Sequence, residues 1–268
     1  MSCRSTRRTA LKSARDTHRC QEEGNLKIKI INPNTTQSMT DKIGNAARSV
    51  ALSGTEIVAV SPSMGPVSIE GHYDEAIAAI GVLDEVRKGE QQGFDGYIIA
   101  CFGDPGLLAA REIAKGPVIG IAEAAMHAAS FIGTGFSIVS MLDRGRPILE
   151  HLVHAYGMER KCRGIRTTDV PVLELEREGS NAQQVILAEC RRALQEDKSD
   201  TILLGCAGLS DLFTYISAEI GAPAIDGVTA ATKMVEALVG LRLSTSKVQG
   251  FAYPERKPYR GMFEPFAP

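Results

Sequence analysis

The chain has no tryptophan, and aromatic residues make up only 5% of its 268 positions. Base-stacking platforms and large aromatic interfaces need such side chains, so both are disfavoured. The formal net charge is −2, which disfavours nucleic acid or an anionic membrane surface as a partner. No apolar run reaches the roughly 20 residues that a membrane helix needs, and no secretory apolar region stands near the start. We therefore expect a cytoplasmic globular protein with no nucleic-acid or membrane partner.

The six cysteines are widely spread, and none are paired as C-x-x-C. Zinc-ribbon and thioredoxin signatures are therefore missing, and free thiols are expected. His151 and His154 are three residues apart on a predicted helix, but no carboxylate or cysteine joins them by spacing. A solvated helix face is favoured over a metal site there. No Walker A pattern is present, and Gly133-Thr-Gly135 precedes a strand instead of following it. We expect neither a metal nor a cofactor.

Residues 1–26 differ from the rest, since they are rich in arginine and poor in large apolar residues. This composition predicts a disordered N-terminal extension. The alternative is an organelle transit peptide, because arginine and serine are abundant before Asp16.

From Lys27 onward, short apolar runs alternate with helical patterns. KIKIIN, EIVAVSP, YIIAC, PVIGIA, FSIVSM and TILLGC are typical of strands, and segments such as HYDEAIAAIGVLDEVRKGE are typical of helices. The alternation predicts an α/β fold with parallel sheets. The segment after Leu241 contains several prolines and is expected to pack irregularly across the surface.

Residues 95–125 and 200–231 are similar to each other in sequence. In each copy an aspartate stands six residues before a cysteine, Cys101 or Cys206, that ends an apolar run. A glycine, a helical segment, a Gly-Pro or Gly-Ala-Pro turn and a short strand then follow in the same order. Such an internal repeat predicts two similar open, Rossmann-like α/β halves related by a pseudo-two-fold axis.

The repeat also predicts the domain division. The first domain comprises residues 27–122 together with 228–268, and the second comprises residues 123–227. In open parallel sheets the ligand crevice lies outside the carboxyl ends of the strands. We therefore expect Cys101 and Cys206 to face each other across a cleft between the halves.

Two matched thiols suit two-base proton transfer, in which one thiolate removes a proton from carbon and the opposite thiol donates one to the other face. A free cysteine titrates near about 8.5, so both protonation states are accessible. Asp104-Pro105 is predicted to begin a helix whose N-terminus lowers the thiol pKa of Cys101. Ser210 is predicted to cap the equivalent helix after Cys206.

Motifs across the chain resemble the aspartate/glutamate/hydantoin racemase superfamily, most closely its hydantoin and allantoin racemase branch. They are NPNT (32–35), SIEGHYDEA (68–76), ACFGDPGL (100–107), PVIGIAEAAMH (117–127) and LGCAG (204–208). The resemblance covers nearly all the chain from Lys27. It implies a cofactor-independent racemase that acts on a cyclic ureide, either allantoin or a 5-substituted hydantoin, and that assembles as a homo-oligomer.

The resemblance assigns Cys101 and Cys206 as the catalytic pair. The substrate-binding residues expected beside them are Asn34, Thr35, Ser68, Ile69, Phe102, Gly103, Ser140, Ala207 and Gly208. Asn32 and Asn34 are also explained by an Asx-type turn around Pro33. The motifs around the cysteines lack arginine and lysine, which favours a neutral ring over a carboxylate substrate. Arg144 and Arg146 are the residues that would change this conclusion.

Three alternatives remain open: an aspartate or glutamate racemase, a related decarboxylase or isomerase, and a two-domain ligand-binding protein. Superfamily decarboxylases resemble this pattern but keep one of the two cysteines, so the presence of both counts against that reading. A binding protein gives no reason for matched thiols. A Cys–His hydrolase is disfavoured because no histidine is tied by spacing to either cysteine.

Overall fold

A computed structural model describes residues 25–177 and 179–268, so the extension predicted for residues 1–26 lies almost entirely outside the described residues. The strands are β1 Leu26–Ile31, β2 Thr55–Val60, β3 Gly96–Ile99, β4 Val118–Gly120, β5 Phe136–Ser140, β6 Cys162–Thr167, β7 Thr201–Leu204 and β8 Ala224–Ile225. The helices are α1 Gln37–Val50, α2 His72–Gln92, α3 Leu107–Ile113, α4 Ile121–Ile132, α5 Arg146–Ala155, α6 Ala182–Glu196, α7 Phe213–Ile220 and α8 Gly227–Gly240.

The strands form two four-stranded sheets, with orders β2-β1-β3-β4 and β6-β5-β7-β8. Every strand pair is parallel. The two orders are equivalent, since β3 holds the position in the first sheet that β7 holds in the second. The predicted α/β fold with two similar halves is therefore confirmed.

The central strands are apolar because helices cover both faces of each sheet. All four residues of β3 and all four of β7 are buried. One core cluster contains Ile30 of the first sheet, Leu203 of the second, and Val228 of α8. The two halves therefore share apolar core, which fixes the sheets relative to each other.

Two helices lie where the chain passes between the halves. Helix α4 packs against α8 and contacts both β4 and β7. Helix α8 contacts β3, β4 and α1 of the first half. Because α8 contacts the first half and also α4, the domain division stays a prediction from the sequence.

A buried ion pair joins β1 to α2. Lys29 Nζ lies 2.9 Å from Glu85 Oε2 and donates to the Glu85 carbonyl at 2.8 Å. Both side chains are almost fully buried. Lys88 also contacts Glu85 at 2.6 Å, so that carboxylate has two cationic partners.

The C-terminal segment follows the surface of the first half. The Thr245 hydroxyl donates to the Gly116 carbonyl at 2.6 Å, and Lys247 Nζ donates to the Arg111 carbonyl at 2.6 Å. No helix in residues 25–177 or 179–268 is both long and apolar enough to cross a membrane.

Candidate active site

Cys101 stands just beyond the carboxyl end of β3. The Ala100 N–H donates to the Ile31 carbonyl of β1, so the chain is still held in the sheet one residue before the thiol. The Asp104 N–H then donates to the Cys101 carbonyl at 3.0 Å and closes a tight turn. Within this turn the Gly103 N–H points at the Cys101 sulfur.

Cys206 has the same setting beyond β7. The Gly205 N–H donates to the Val139 carbonyl of β5 at 2.8 Å, and the Leu209 N–H donates to the Cys206 carbonyl at 3.1 Å. The Gly208 N–H points at the Cys206 sulfur, as that of Gly103 does at Cys101. The two thiols thus occupy equivalent places in equivalent sheets.

Both thiols line one cavity of about 90 Å³, which suits a small molecule and is far below drug-sized sites of about 300–1,000 Å³. Its wall is mostly apolar. The polar and charged side chains on it, besides the cysteines, belong to Asn34, Glu70, Glu75 and Ser140. The apolar side chains other than alanine are Met39, Ile69, Phe102, Met141, Leu142, Ile148, Leu149 and Val172.

The cavity brings together most of the predicted substrate-binding residues. Asn34, Ile69, Phe102, Gly103, Ser140 and Ala207 line it together with the two cysteines. Thr35, Ser68 and Gly208 are not part of its wall. The Thr35 hydroxyl donates to the Pro66 carbonyl at 3.3 Å, and the Ser68 hydroxyl donates to Glu70 Oε1 at 3.2 Å.

Asn34 shapes the loop after β1 by bonds within that loop. Its Oδ1 accepts from Asn32 Nδ2 and from the Thr36 N–H, each at 2.9 Å. The Asn34 N–H lies 3.4 Å from Asn32 Oδ1, an Asx-type contact of the kind anticipated for NPNT. Among the described residues, the Nδ2 of Asn34 has the Met39 sulfur as its one partner, at 3.6 Å.

The expected thiol activation by a helix N-terminus is contradicted. Burial raises the pKa of Cys101, and burial also raises the pKa of Cys206 to about 11. The Gly103 and Gly208 N–H groups oppose this shift, and so does Lys42 near Cys206, but none of them overcomes it. Both thiols are therefore protonated at neutral pH in the unliganded protein.

Asp104 does not cap the helix that follows it. Helix α3 begins at Leu107 after Gly106, whose φ of 75° is left-handed. The Asp104 carboxylate accepts instead from the Ala122 and Glu123 N–H groups, at 3.1 and 3.0 Å. It therefore caps α4, and burial raises the pKa of Asp104 to about 7. A Cβ at Gly120 would overlap this carboxylate, so glycine there allows the approach.

Ser210 also has a different partner from the one predicted. Helix α7 begins after Leu212 and has no side-chain cap. The Ser210 hydroxyl lies 2.6 Å from Asp226 Oδ1, and Asp226 caps α8 by accepting from the Thr229 N–H at 2.8 Å. In both halves, therefore, the loop after the cysteine is tied to the N-terminus of the helix that follows the last strand of its sheet.

The charged residues Glu70 and Glu75 of the cavity wall were not singled out from the sequence. Glu75 is the fourth residue of α2, and burial together with the nearby Asp104 raises its pKa to about 7. Both glutamates lie within the SIEGHYDEA motif, Glu70 before α2 and Glu75 in its first turn. An acidic residue in that motif was the available signal.

The side chains of His151, His154, Arg144 and Arg146, which the sequence analysis considered as possible ligand-binding groups, are not part of the cavity wall. Arg146 pairs with Asp143 at 2.8 Å, and the Arg144 guanidinium lies beside Gly71 of the wall. His154 contacts Glu159 at 2.6 Å on an exposed face. In the described part of the chain, no three His, Cys, Asp or Glu side chains are grouped so as to hold a metal ion.

The two equivalent α/β halves and the paired thiols indicate a racemase, and comparison with known proteins supports this class. The family model for Asp/Glu/hydantoin racemases matches residues 28–235. The chain therefore belongs to the Asp/Glu/hydantoin racemase family, and the predicted enzyme class, an isomerase of the racemase type, is confirmed.

Individual relatives agree with this assignment. The hydantoin racemase of Pseudomonas sp. strain NS671 is 48% identical, over 90% of this chain and 97% of that protein. The hydantoin racemase of Rhizobium meliloti is 49% identical, over 88% and 98%. The structure of an allantoin racemase from Klebsiella pneumoniae is similar with a TM-score of 0.89 and 54% identity, covering 91% of this chain and 99% of that one.

Proposed function

We propose that the protein racemises a cyclic ureide, allantoin or a 5-substituted hydantoin, by two-base proton transfer between Cys101 and Cys206. The observation that carries the proposal is the placement of the two thiols. They stand beyond equivalent strands, β3 and β7, of two equivalent sheets, and they line one small cavity. Repulsion from Cys206 contributes to the raised pKa of Cys101, as expected for thiols that share a site.

In the chemical step, each proton passes between the substrate and one of the two thiols, so no further reactant is needed. One thiolate takes the proton from the ring stereocentre, and the electron pair of that C–H bond moves onto the adjacent carbonyl oxygen as an enolate. The opposite thiol then gives its proton to the other face of the carbon. The enantiomer leaves, and the two sulfurs have exchanged protonation states, so the reverse turnover starts from the other cysteine.

Because both thiols are neutral in the empty site, one of them must first lose its proton to solvent water before abstraction begins. The Gly103 and Gly208 N–H groups point at the sulfurs and favour a thiolate there. Backbone donors of this kind are fixed before the reaction, which is what electrostatic stabilisation of developing charge requires.

The composition of the cavity wall favours a neutral ring over an amino acid. No arginine or lysine belongs to the wall among residues 25–177 and 179–268. A substrate carboxylate would meet Glu70 and Glu75 without a cationic partner, which is unfavourable. A ureide ring instead offers N–H and C=O groups to polar side chains and a flat face to the apolar ones. The names of the relatives, hydantoin racemase and allantoin racemase, support the same substrate class.

The test follows single enantiomers of allantoin and of 5-substituted hydantoins by circular dichroism in deuterated water. We expect loss of optical activity with deuterium entering at the stereocentre. Cys101→Ser and Cys206→Ser should each abolish racemisation, and the thiol left in each variant should exchange the proton of one enantiomer at most. Cys162→Ser is the matched control, because Cys162 lies on β6 outside the cavity wall.

Three outcomes would redirect the proposal. Racemisation of aspartate or glutamate instead of any ureide would indicate an amino acid racemase. Release of carbon dioxide from a substituted malonate would indicate a decarboxylase. Normal racemisation by both cysteine variants would rule out the two-thiol mechanism. Homo-oligomeric assembly and cytoplasmic location remain predictions from the sequence.

A further inference from the structure

Glu75 is a buried acid at the active-site wall that the two-thiol reaction does not use. Its side chain is 17% exposed, and it lines the cavity together with both cysteines. Its Oε1 is fully buried and has no hydrogen-bond partner in the structure. Its Oε2 has His72 Nδ1 as a neighbour, but at 3.7 Å that is not a hydrogen bond.

The position of Oε1 is set by the turn that carries Cys101. A Cβ added at Gly103 would overlap Glu75 Oε1, so the carboxyl packs directly against the glycine backbone. The Gly103 N–H lowers the pKa of the Cys101 thiol and is not a hydrogen-bond partner of Glu75 Oε1. Glu75 is therefore brought close to the reacting thiol and left without a donor or acceptor of its own.

A buried polar atom without a partner destabilises the protein, so such an atom beside a binding cavity indicates a missing partner. A neutral carboxyl group carries a C=O acceptor and an O–H donor side by side. A ring ureide carries the complementary pair, an N–H beside a C=O, along one edge. The two edges can form paired hydrogen bonds, whereas a carboxylate, having no proton, can only accept.

We infer that Glu75 is the ureide-recognition residue of this site: its carboxyl pairs with one N–H/C=O edge of the ring and so selects a cyclic ureide over a ring without that edge. The inference rests on the proposed function and extends it to the side chain that recognises the substrate. Glu75 holds the ring against the Cys101 side of the cavity and takes no proton from carbon.

The protonation state agrees with this role. Burial and the neighbouring Asp104 raise the pKa of Glu75 to about 7. Below that pH the carboxyl keeps the proton that it must donate to the ring carbonyl. Above that pH the bond to the carbonyl is lost and substrate binding weakens. The titratable and charged groups near it include His72 on the same helix, Asp104 and Cys101 on the turn after β3, and Arg144 beside Gly71. Glu70 and Cys206 share the cavity wall with Glu75, and His151 of α5 lines a neighbouring cavity with it.

The experiment compares Glu75→Gln, Glu75→Leu and the wild type. Glutamine keeps a donor and an acceptor side by side and cannot ionise, whereas leucine keeps much of the volume without either. KM and kcat are measured for a ureide from pH 6 to 9. In parallel, calorimetry measures binding of unsubstituted hydantoin, which has no stereocentre and therefore reports binding without turnover. Asp84→Asn is the control, since Asp84 is on the same helix but pairs with Lys88 outside the cavity.

We expect Glu75→Leu to raise KM and the hydantoin Kd by about tenfold or more, because leucine cannot form the paired hydrogen bonds to the ring. Tenfold corresponds to about 1.4 kcal/mol. The change in kcat should be much smaller. The wild-type KM should rise above pH 7. Glu75→Gln should bind the ureide within a few-fold of the wild type at pH 6, and its KM should stay flat as the pH rises. His72, Asp104 and Cys101 are unchanged in that variant, so a flat profile assigns the titration to Glu75.

Two results would overturn the inference. One is an unchanged KM and Kd in Glu75→Leu, which would leave Glu75 as a packing residue only. The other is a Glu75→Gln profile that rises with pH as the wild type does. Either result with a wild type that racemises ureides leaves the proposed function intact. A wild type that neither racemises a ureide nor binds hydantoin would refute the proposed function itself, and this inference with it.

Discussion

Tyr156 and Asp104 are joined by a hydrogen bond of 2.7 Å, in which the tyrosine hydroxyl donates to Oδ2 of the carboxyl group. Asp104 belongs to the turn that carries Cys101, and Tyr156 follows α5 of the second half. The same carboxyl accepts from the first turn of α4. One side chain thus connects the first thiol's turn to two elements beyond its own sheet.

Removing this connection should destabilise the fold. Above pH 7, where the Asp104 carboxyl is ionised, Tyr156→Phe should lower the free energy of unfolding by about 1.5–3 kcal/mol, the range for a hydrogen bond to a charged group. Asp104→Ala should cost more, because it leaves the tyrosine hydroxyl and two helix N–H groups without their acceptor. Urea unfolding measures both, with Tyr215→Phe on the partly exposed face of α7 as the control. An Asp104→Ala variant as stable as the wild type would contradict the capping role.

The two thiols of the cavity, Cys101 and Cys206, should react slowly with iodoacetamide at pH 7. Burial raises both thiol pKa values, so the reactive thiolate is rare and its fraction rises about tenfold per pH unit. Cys206 should react before Cys101, because Lys42 partly offsets its burial. Mass spectrometry of labelled peptides over pH 7–10 measures each rate, and the urea-unfolded chain supplies the reference. A rate that reaches a plateau below pH 8 would contradict the raised values.

A Lys42 variant tests separately why Cys206 should be alkylated faster than Cys101. Lys42→Met should slow the alkylation of Cys206, since it removes a cation that lowers the thiol pKa. The same change also frees Glu176, which Lys42 contacts at 2.8 Å and which raises that pKa. The rate at Cys101 should stay unchanged in this variant. Equal slowing at both thiols would point to a structural effect instead.

The buried carboxyl of Glu75 should make stability depend on pH. Its pKa is raised from 4.5 to about 7 in the folded state, so the folded protein holds a proton that the unfolded chain has lost. The contribution of Glu75 therefore falls as the pH rises from about 4.5 to 7 and is constant above 7. Glu75→Gln should gain stability relative to the wild type across that window, by up to about 3 kcal/mol. Urea unfolding at several pH values measures it, and a constant difference would contradict the raised pKa.

The ion pair of Lys29 and Glu85 should be costly to break from one side. Glu85→Leu removes both the carboxylate at 2.9 Å and its charge, which leaves Lys29 buried without a counter-ion. We expect a loss of about 3–5 kcal/mol, and recovery of most of it in the double variant with Lys29→Met. Lys27→Met is the control, because its pair with Glu56 at 3.5 Å is exposed and worth under about 1 kcal/mol. A double variant as unstable as the single one would contradict the charge argument.

Most of the architecture was predictable because its signals are local. The order of strands and helices follows from hydrophobic periodicity within short windows. The pairing of Cys101 with Cys206 followed from comparing two segments of the chain, and both thiols line the cavity at equivalent strand ends. Six of the nine expected substrate-binding residues line it as well.

The errors concern contacts between residues far apart in sequence. Asp104-Pro105 has the local pattern of a helix start, yet the Asp104 carboxyl bonds to α4, 18 residues on. Ser210 likewise bonds to Asp226, 16 residues away. The thiol pKa values were misjudged for the same reason, since burial depends on every element that surrounds the sulfur.

The sequence by itself determined the α/β alternation, the internal repeat, the two thiols and the family, because each depends on the types of residue and their spacing along the chain. Only the tertiary structure decided which groups meet. Among the described residues it left Glu75 Oε1 against Gly103 without a partner, tied Asp104 to α4 and Tyr156, and placed both partly buried thiols on the wall of one cavity. Desolvation and hydrogen bonding act through space, so they are set when the two sheets close on one cavity.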